Sequence, residues 1–140
     1  MDVRLSDLDA VARDIVAHLP TVRGTQAYIL GFSGDLGAGK TTLIQHIARA
    51  LGVRDPVTSP TYVIAERYPL SGRVFTSLVH IDAYRISEAE AHTIGWDAFT
   101  QNPENLVLIE WPERLGSHTA GIPRVTLSVV DTDTRAISYA

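Results

Sequence analysis

The stretch Gly34-Asp35-Leu36-Gly37-Ala38-Gly39-Lys40-Thr41 limits what this chain can fold into more than any other segment. It fits the pattern G-x-x-x-x-G-K-[ST] at every fixed position, the pattern of a loop whose backbone amides cradle phosphate oxygens. Lys40 is the only lysine; the other eleven of the twelve Lys and Arg residues are arginines. An ammonium is a compact point charge that reaches between phosphate oxygens, whereas a guanidinium is a planar fork. The motif works only between a buried strand and a helix, so the flanking sequence tests it.

The flanks satisfy that requirement. Residues 27–32, Ala-Tyr-Ile-Leu-Gly-Phe, read as a short buried strand running straight into the loop. A helix is expected over 39–51, with Leu43, Ile44, Ile47, Ala48 and Leu51 as its apolar stripe and Gly52 as its stop. Upstream, Leu8, Val11, Ala12, Ile15, Val16 and Leu19 recur at helical spacing. Ser6 with Asp9 offers a capping-box-like start to that helix, and Pro20 and Gly24 close it.

Further strands are expected over 62–68 and 74–81, with a hairpin-like turn at Ser71-Gly72 between them. Residues 88–94 suit a short helix, and 106–109 form a fully apolar strand ending at Glu110. A terminal hairpin over 125–130 and 136–139 turns at Asp131-Thr132-Asp133. Together these make an α/β fold, a mixed β-sheet flanked by helices, in a single P-loop NTPase domain spanning residues 1–140.

Composition narrows the function classes. Hydrophobic content of 45% and charged content of 20% describe an ordinary globular chain, and the lack of cysteine excludes disulfides and thiolate metal sites. The first residues carry acids and no long apolar run, so no secretory signal is expected. No segment approaches the roughly 18 apolar residues of a membrane span, and a cytoplasmic location is expected. A net charge of -4 argues against tight, independent nucleic-acid binding by phosphate neutralisation.

Within the loop, Gly34, Gly37 and Gly39 permit positive φ and a close backbone approach to phosphates. The amides of Asp35, Leu36 and Ala38, with the following helix N-terminus, form a positive nest. Lys40 is expected at the β- and γ-phosphates, the Thr41 hydroxyl on Mg2+, and Thr42 toward the α-phosphate side. Such a site also needs a carboxylate at a strand end for the metal or its waters. Glu110 and Asp82 both qualify, Glu110 ending the most apolar run in the chain. Ser59 and Thr61 lie in the first loop after the phosphate-binding helix, where hydroxyls can sense a γ-phosphate. Arg67, Arg85 and Arg114 read as salt-bridge residues before charge-stabilising ones, Trp111 as core, and the five histidines as structural or solvated.

With no second lysine, the chain cannot build the Asn/Thr-Lys-x-Asp motif by which Ras-type GTPases read guanine, so an adenine nucleotide is the expected ligand. Four motifs then stand in order: Gly34 to Thr42, Ser59-Pro60-Thr61-Tyr62, His80-Ile81-Asp82-Ala83-Tyr84-Arg85 and Ile109-Glu110-Trp111-Pro112-Glu113-Arg114. Together they resemble the TsaE family (older name YjeE), bacterial ATPases of tRNA threonylcarbamoyladenosine (t6A) biosynthesis, over residues 5–130. The resemblance implies ATP and Mg2+ as cofactors and hydrolysis that is weak in isolation. It implies partnership with a TsaB-TsaD complex that modifies the adenosine beside the anticodon, with tRNA met only through that complex. It also implies Lys40 on phosphate, Thr41 and Glu110 at the metal, Asp82 as a catalytic or metal-supporting acid, Ser59 to Thr61 as a switch, and Trp111 beside the site. An adenine contact from Ser6 or Asp7, or a nucleotide contact from Arg135, is a weaker expectation.

Two other readings of the loop are a small-metabolite kinase and a nucleotide-gated interaction module that does no chemistry. The chain is short for the first, since it has no obvious arginine-rich lid over an acceptor pocket.

Overall fold

A computed structural model describes residues 1–54, 57, 65–71 and 74–140. Ser59, Thr61 and the rest of the expected switch, Gly72 of the expected turn, and the first residues of the expected strand over 62–68 lie outside the described residues.

The chain forms one seven-stranded sheet in the order β1-β7-β6-β2-β5-β4-β3. Its strands are β1 (Asp2–Arg4), β2 (Tyr28–Ser33), β3 (Ala65–Pro69), β4 (Ser77–Asp82), β5 (Asn105–Glu110), β6 (Arg124–Val129) and β7 (Thr134–Tyr139). β6, β2, β5 and β4 run parallel, while β3 pairs antiparallel with β4, β7 with β6, and β1 with β7. Two α-helices, α1 (Leu8–Ala17) and α2 (Lys40–Ala50), pack on one face. The other face carries α3 (Trp96–Gln101) and two 3-10 segments, Glu88–Ile94 and Pro112–Thr119.

Side chains alternate across the sheet, so each central strand divides its residues between two cores. Leu30, Phe32, Leu78, Leu106 and Leu108 meet Leu43, Ile44 and Ile47 of α2 and Leu8, Val11 and Ile15 of α1. Val79, Ile81, Val107 and Ile109 meet Ala91, Trp96 and Leu115 on the opposite side. The same period carries His80 and Asp82 of β4, and Glu110 of β5, onto the α2 face. Polar groups at the ends of apolar strands are thereby aimed at the first turn of α2.

Several expectations shift. The capping box at Ser6 does not form: Leu5–Asp7 is a 3-10 turn, Asp7 makes no side-chain cap, and Asp9 instead pairs with Arg13 one turn on. The reason is β1, too short to register as a strand in sequence. Its pairing with β7 delivers the chain to α1 through the bond from Leu5 N to the Asp133 carbonyl. Helix α1 ends at Ala17, before Pro20. The strand expected over 74–81 starts at Ser77, and the helix expected over 88–94 is 3-10, opened by a Ser87–Glu90 capping box. The terminal hairpin forms as expected. Among the described residues no helix is long and apolar enough to cross a membrane.

Candidate functional site

The glycine loop leaves β2 at Ser33 and enters α2 at Lys40, with Gly34, Gly37 and Gly39 at φ of 146°, 79° and 104°. At Gly34 the requirement is absolute, because a Cβ would collide with the Leu127 carbonyl oxygen of β6. The first turn of α2 has no side-chain cap and no acidic residue. Its N–H groups therefore face the cleft free of any capping carboxylate of their own turn, the arrangement that suits an anion.

Lys40 is buried, yet its Nζ donates to the carbonyls of Gly34 at 2.5 Å and Asp35 at 3.0 Å and lies 4.2 Å from the centre of the Trp111 ring. Burial lowers its pKa, while Glu110, Glu113, Asp82 and Asp35 pull the other way. The ammonium thus rests on the loop's own carbonyls, which any phosphate oxygen would have to replace.

Thr41 donates its hydroxyl to Glu110 Oε1 at 2.7 Å. The second carboxylate oxygen, Oε2, stands 2.7 Å from His80 Nε2, with His80 wholly buried and Glu110 nearly so. Asp82 sits in register beside Glu110 across β4 and β5 and accepts the Tyr84 amide at 3.0 Å. Burial raises the Asp82 pKa; the Tyr84 amide lowers it, and the neighbouring Glu110 charge adds to the rise.

A cleft of about 250 Å3 gathers Leu36, Gly37, Gly39, Lys40, Thr41, Thr42, Asp82, Tyr84, Glu110 and Trp111. Lys40, Asp82 and Glu110, the three expected catalytic groups, therefore share one cavity. Gly34, Asp35 and Ala38 complete the loop around it, while Ser59 and Thr61 lie outside the described residues. A larger, mostly apolar cleft at the starts of β2 and β6, lined by Ile15, Leu19, Tyr28 and Val125, contains none of the expected site residues.

Trp111 lies beside the site, as the family resemblance implies, while also packing against the second core. It is partly buried at the cleft mouth and is the only non-glycine residue with positive φ among those described, at 60°. Its amide is fixed to the Phe32 carbonyl, and its ring tilts against Tyr84 at 5.0 Å between centroids. A bulky residue in this conformation is strained, and such strain concentrates at functional sites. Arg114, expected to form a salt bridge, instead lies over the Tyr84 and Trp111 rings at 5.2 and 5.8 Å. Arg67 lies 5.8 Å from the Phe99 ring.

Two groups take parts in the site that sequence reasoning did not assign them: His80, and Arg135, which was expected only as a weak nucleotide contact. His80 was grouped with the structural histidines; its signal was a polar residue inside an apolar strand, two positions before a candidate acid. Arg135 is buried, and its guanidinium reaches the carbonyls of Ala38, Gly37, Asp131, Thr132 and Thr134. It braces the loop from behind, a role that nothing in its local sequence announces.

A Mg2+ ion favours oxygen ligands, and the Thr41 hydroxyl beside the Glu110 carboxylate, at the foot of the phosphate nest, is a donor set of that kind. Among the described residues no group of three His, Asp or Glu side chains is placed to hold a metal.

The same architecture occurs in the crystal structure of Bacillus subtilis YdiB, with a TM-score of 0.67 over 99% of this chain and 83% of that one, at 23% identity. A tRNA threonylcarbamoyladenosine biosynthesis protein TsaE from Synechocystis is 36% identical over 121 residues, 82% of this chain and 72% of the relative. The TsaE of Streptomyces coelicolor is 44% identical over 81 residues, 58% of this chain and 54% of that protein. The TsaE of Haemophilus influenzae is 34% identical over 72% of this chain and 60% of its own length. The chain therefore spans between 54% and 72% of the length of these relatives. The family described as threonylcarbamoyl adenosine biosynthesis protein TsaE matches residues 4–137, taking in the glycine loop, both acids and the Arg135 brace, and the chain belongs to that family.

Proposed function

We propose that residues 1–140 form a Mg2+-dependent ATPase domain that supports threonylcarbamoylation of the adenosine beside the anticodon in tRNAs reading codons that begin with A. It works in the cytoplasm with a TsaB-TsaD complex and meets tRNA only through it. The observation that carries this reading is the convergence of Lys40, Thr41 and Glu110 at one end of a loop whose Gly34 admits no side chain.

The residues divide the work by their chemistry. The loop amides and the α2 N-terminus bind the phosphates. Lys40 exchanges its bonds to Gly34 and Asp35 for phosphate oxygens and offsets charge on the β- and γ-groups. Thr41 and Glu110 would hold the cation, whose preference for oxygen ligands their hydroxyl and carboxylate meet. When bound, Mg2+ neutralises charge on the transferring phosphoryl group. Asp82, held beside Glu110, orients water within the cleft. Ser59 and Thr61 belong to the segment that senses the γ-phosphate. An acidic chain of charge -4 suits a subunit that leaves tRNA to its partners.

The test is reconstitution. The purified chain should bind ATP with Mg2+, hydrolyse it slowly, and accelerate when TsaB-TsaD is added. Repeated rounds of tRNA modification should depend on it. A partner complex that turns over equally well without this chain overturns the assignment, and phosphate transfer to an acceptor other than water would make it a small-metabolite kinase.

A further inference from the structure

His80 has no exposed surface and sits between the apolar residues Val79 and Ile81 of β4. Nε2 lies 2.7 Å from Glu110 Oε2, and Nδ1 is buried with no hydrogen-bond partner among the described residues. An ionised carboxylate can only accept, so the ring nitrogen 2.7 Å from it must be the donor, and an N–H at Nδ1 would be buried without an acceptor. The ring proton therefore belongs on Nε2, where the carboxylate accepts it.

A glutamate has three rotatable side-chain bonds, and Glu110 stands at the last position of its strand. Two donors fix its plane: the imidazole takes Oε2, and this leaves Oε1 alone facing Thr41. The register of β4 with β5 sets His80 opposite Leu108, two residue pairs in from Asp82 and Glu110 and therefore on the same face of the sheet. The imidazole thus reaches its carboxylate from below, on the side away from the loop.

We infer that His80 is a positioning residue, an Nε2-protonated imidazole that holds the Glu110 carboxylate with one oxygen directed at the Thr41 hydroxyl, where a divalent cation enters. Oriented carboxylates bind metal better than free ones, and removing such a supporting bond costs about 10- to 100-fold in affinity or activity. The inference rests on the nucleotide and Mg2+ reading of the cleft, but the tautomer does not.

The test uses the full chain with histidine-selective 15N and 13C labels, first without nucleotide. Two-bond correlations should show the His80 proton on Nε2 and a bare Nδ1. A proton on Nδ1, or averaging between the two, overturns the inference whatever the cleft binds. Next, Mg2+ is titrated at saturating non-hydrolysable ATP analogue into the parent, His80→Leu and His80→Gln. The leucine fills similar space without a donor, and the glutamine amide offers one near the position of Nε2. His80→Leu should need about ten-fold or more Mg2+ for half-saturation while binding metal-free nucleotide as the parent does. His80→Gln should recover most of that loss. A folded His80→Leu with unchanged Mg2+ demand, or a His80→Gln that is no better than leucine, overturns the inference. If His80→Leu does not fold, His80→Gln decides: it must fold and stay within about three-fold of the parent, well inside the loss expected for a missing support. No nucleotide uptake by the parent would sink the functional reading alone, with the tautomer still deciding for or against His80.

Discussion

Arg135 of the last strand donates its Nε to the carbonyl of Ala38 at 3.0 Å, across 97 positions of sequence. The loop that faces the cleft with its amides is thus held from behind by its carbonyls. A guanidinium suits this task because its fork reaches several acceptors at once, and here it also binds the carbonyls of Asp131 and Thr132 in the turn before β7 and of Thr134 at its start. Arg135→Lys keeps the charge but not the fork. It should cost about 1.5–3 kcal/mol of stability, the scale of buried hydrogen bonds to a charged group. Nucleotide binding should weaken as well, because the loop loses its brace. Urea denaturation and calorimetric titration with ADP measure both, and a lysine variant matching the parent in each would show the brace to be dispensable.

The central βα unit was legible in sequence because three signals agreed over residues 27–52: an apolar run, a glycine pattern and a helical stripe. Glu110 and Asp82 were legible as acids at the ends of apolar strands. What escaped depended on distant pairing. β1 is three residues long and exists through its register with β7, so no local periodicity marks it. The 3-10 segment Pro112–Thr119 bends at Gly116, where the helical pattern breaks. His80 and Arg135 were visible as residues, but their acceptors lie 30 and 97 positions away. Trp111 was legible beside the site only through the family resemblance, since no local pattern reports its left-handed backbone.

The loop glycines should respond unequally to one methyl group. At Gly37 an added Cβ would meet nothing within 4 Å, so the cost is that of positive φ alone, about 1–2 kcal/mol. At Gly34 the same methyl group collides with the Leu127 carbonyl, and the backbone of β6 cannot yield without losing its ladder to β2. Gly34→Ala should therefore destabilise by about 3 kcal/mol or more, the upper end of such backbone strain. Thermal unfolding of the two variants side by side tests the ordering, and equal losses would contradict it.

Glu88 ties the two 3-10 segments of the second core together. It accepts from the Ser117 hydroxyl and, at 3.3 Å, from the Ser117 amide, and these bonds hold its pKa below the usual carboxylate value. Its folded pKa is the lower one, so its contribution is present above the unfolded value and is lost as pH falls through the folded value. Glu88→Gln should be less stable than the parent at neutral pH, with the difference closing in acid below the ordinary glutamate range. Unfolding midpoints at pH 7 and pH 3 suffice. A gap that is constant with pH would mean that the carboxylate charge plays no part.

Glu110 and Asp82 stand in register, but their surroundings assign them different tasks. Glu110 receives donors on both oxygens, from Thr41 and His80, and is held where a cation beside Thr41 would meet it. Asp82 accepts one backbone amide, and burial lifts its pKa above the usual aspartate value. Glu110→Ala should therefore lower Mg2+-dependent hydrolysis by about 100-fold or more, the 3 kcal/mol scale of removing a preorganised charge from a phosphoryl-transfer site. Nucleotide binding without metal should change little, since Lys40 and the loop amides carry it; Lys40→Ala should abolish hydrolysis outright. Asp82→Asn should slow turnover while leaving the Mg2+ requirement near that of the parent. Single-turnover hydrolysis across a Mg2+ series separates these outcomes. Near-normal turnover in Glu110→Ala, with Mg2+ demand shifted in Asp82→Asn, would make Asp82 the principal metal acid and reverse the division argued from their partners.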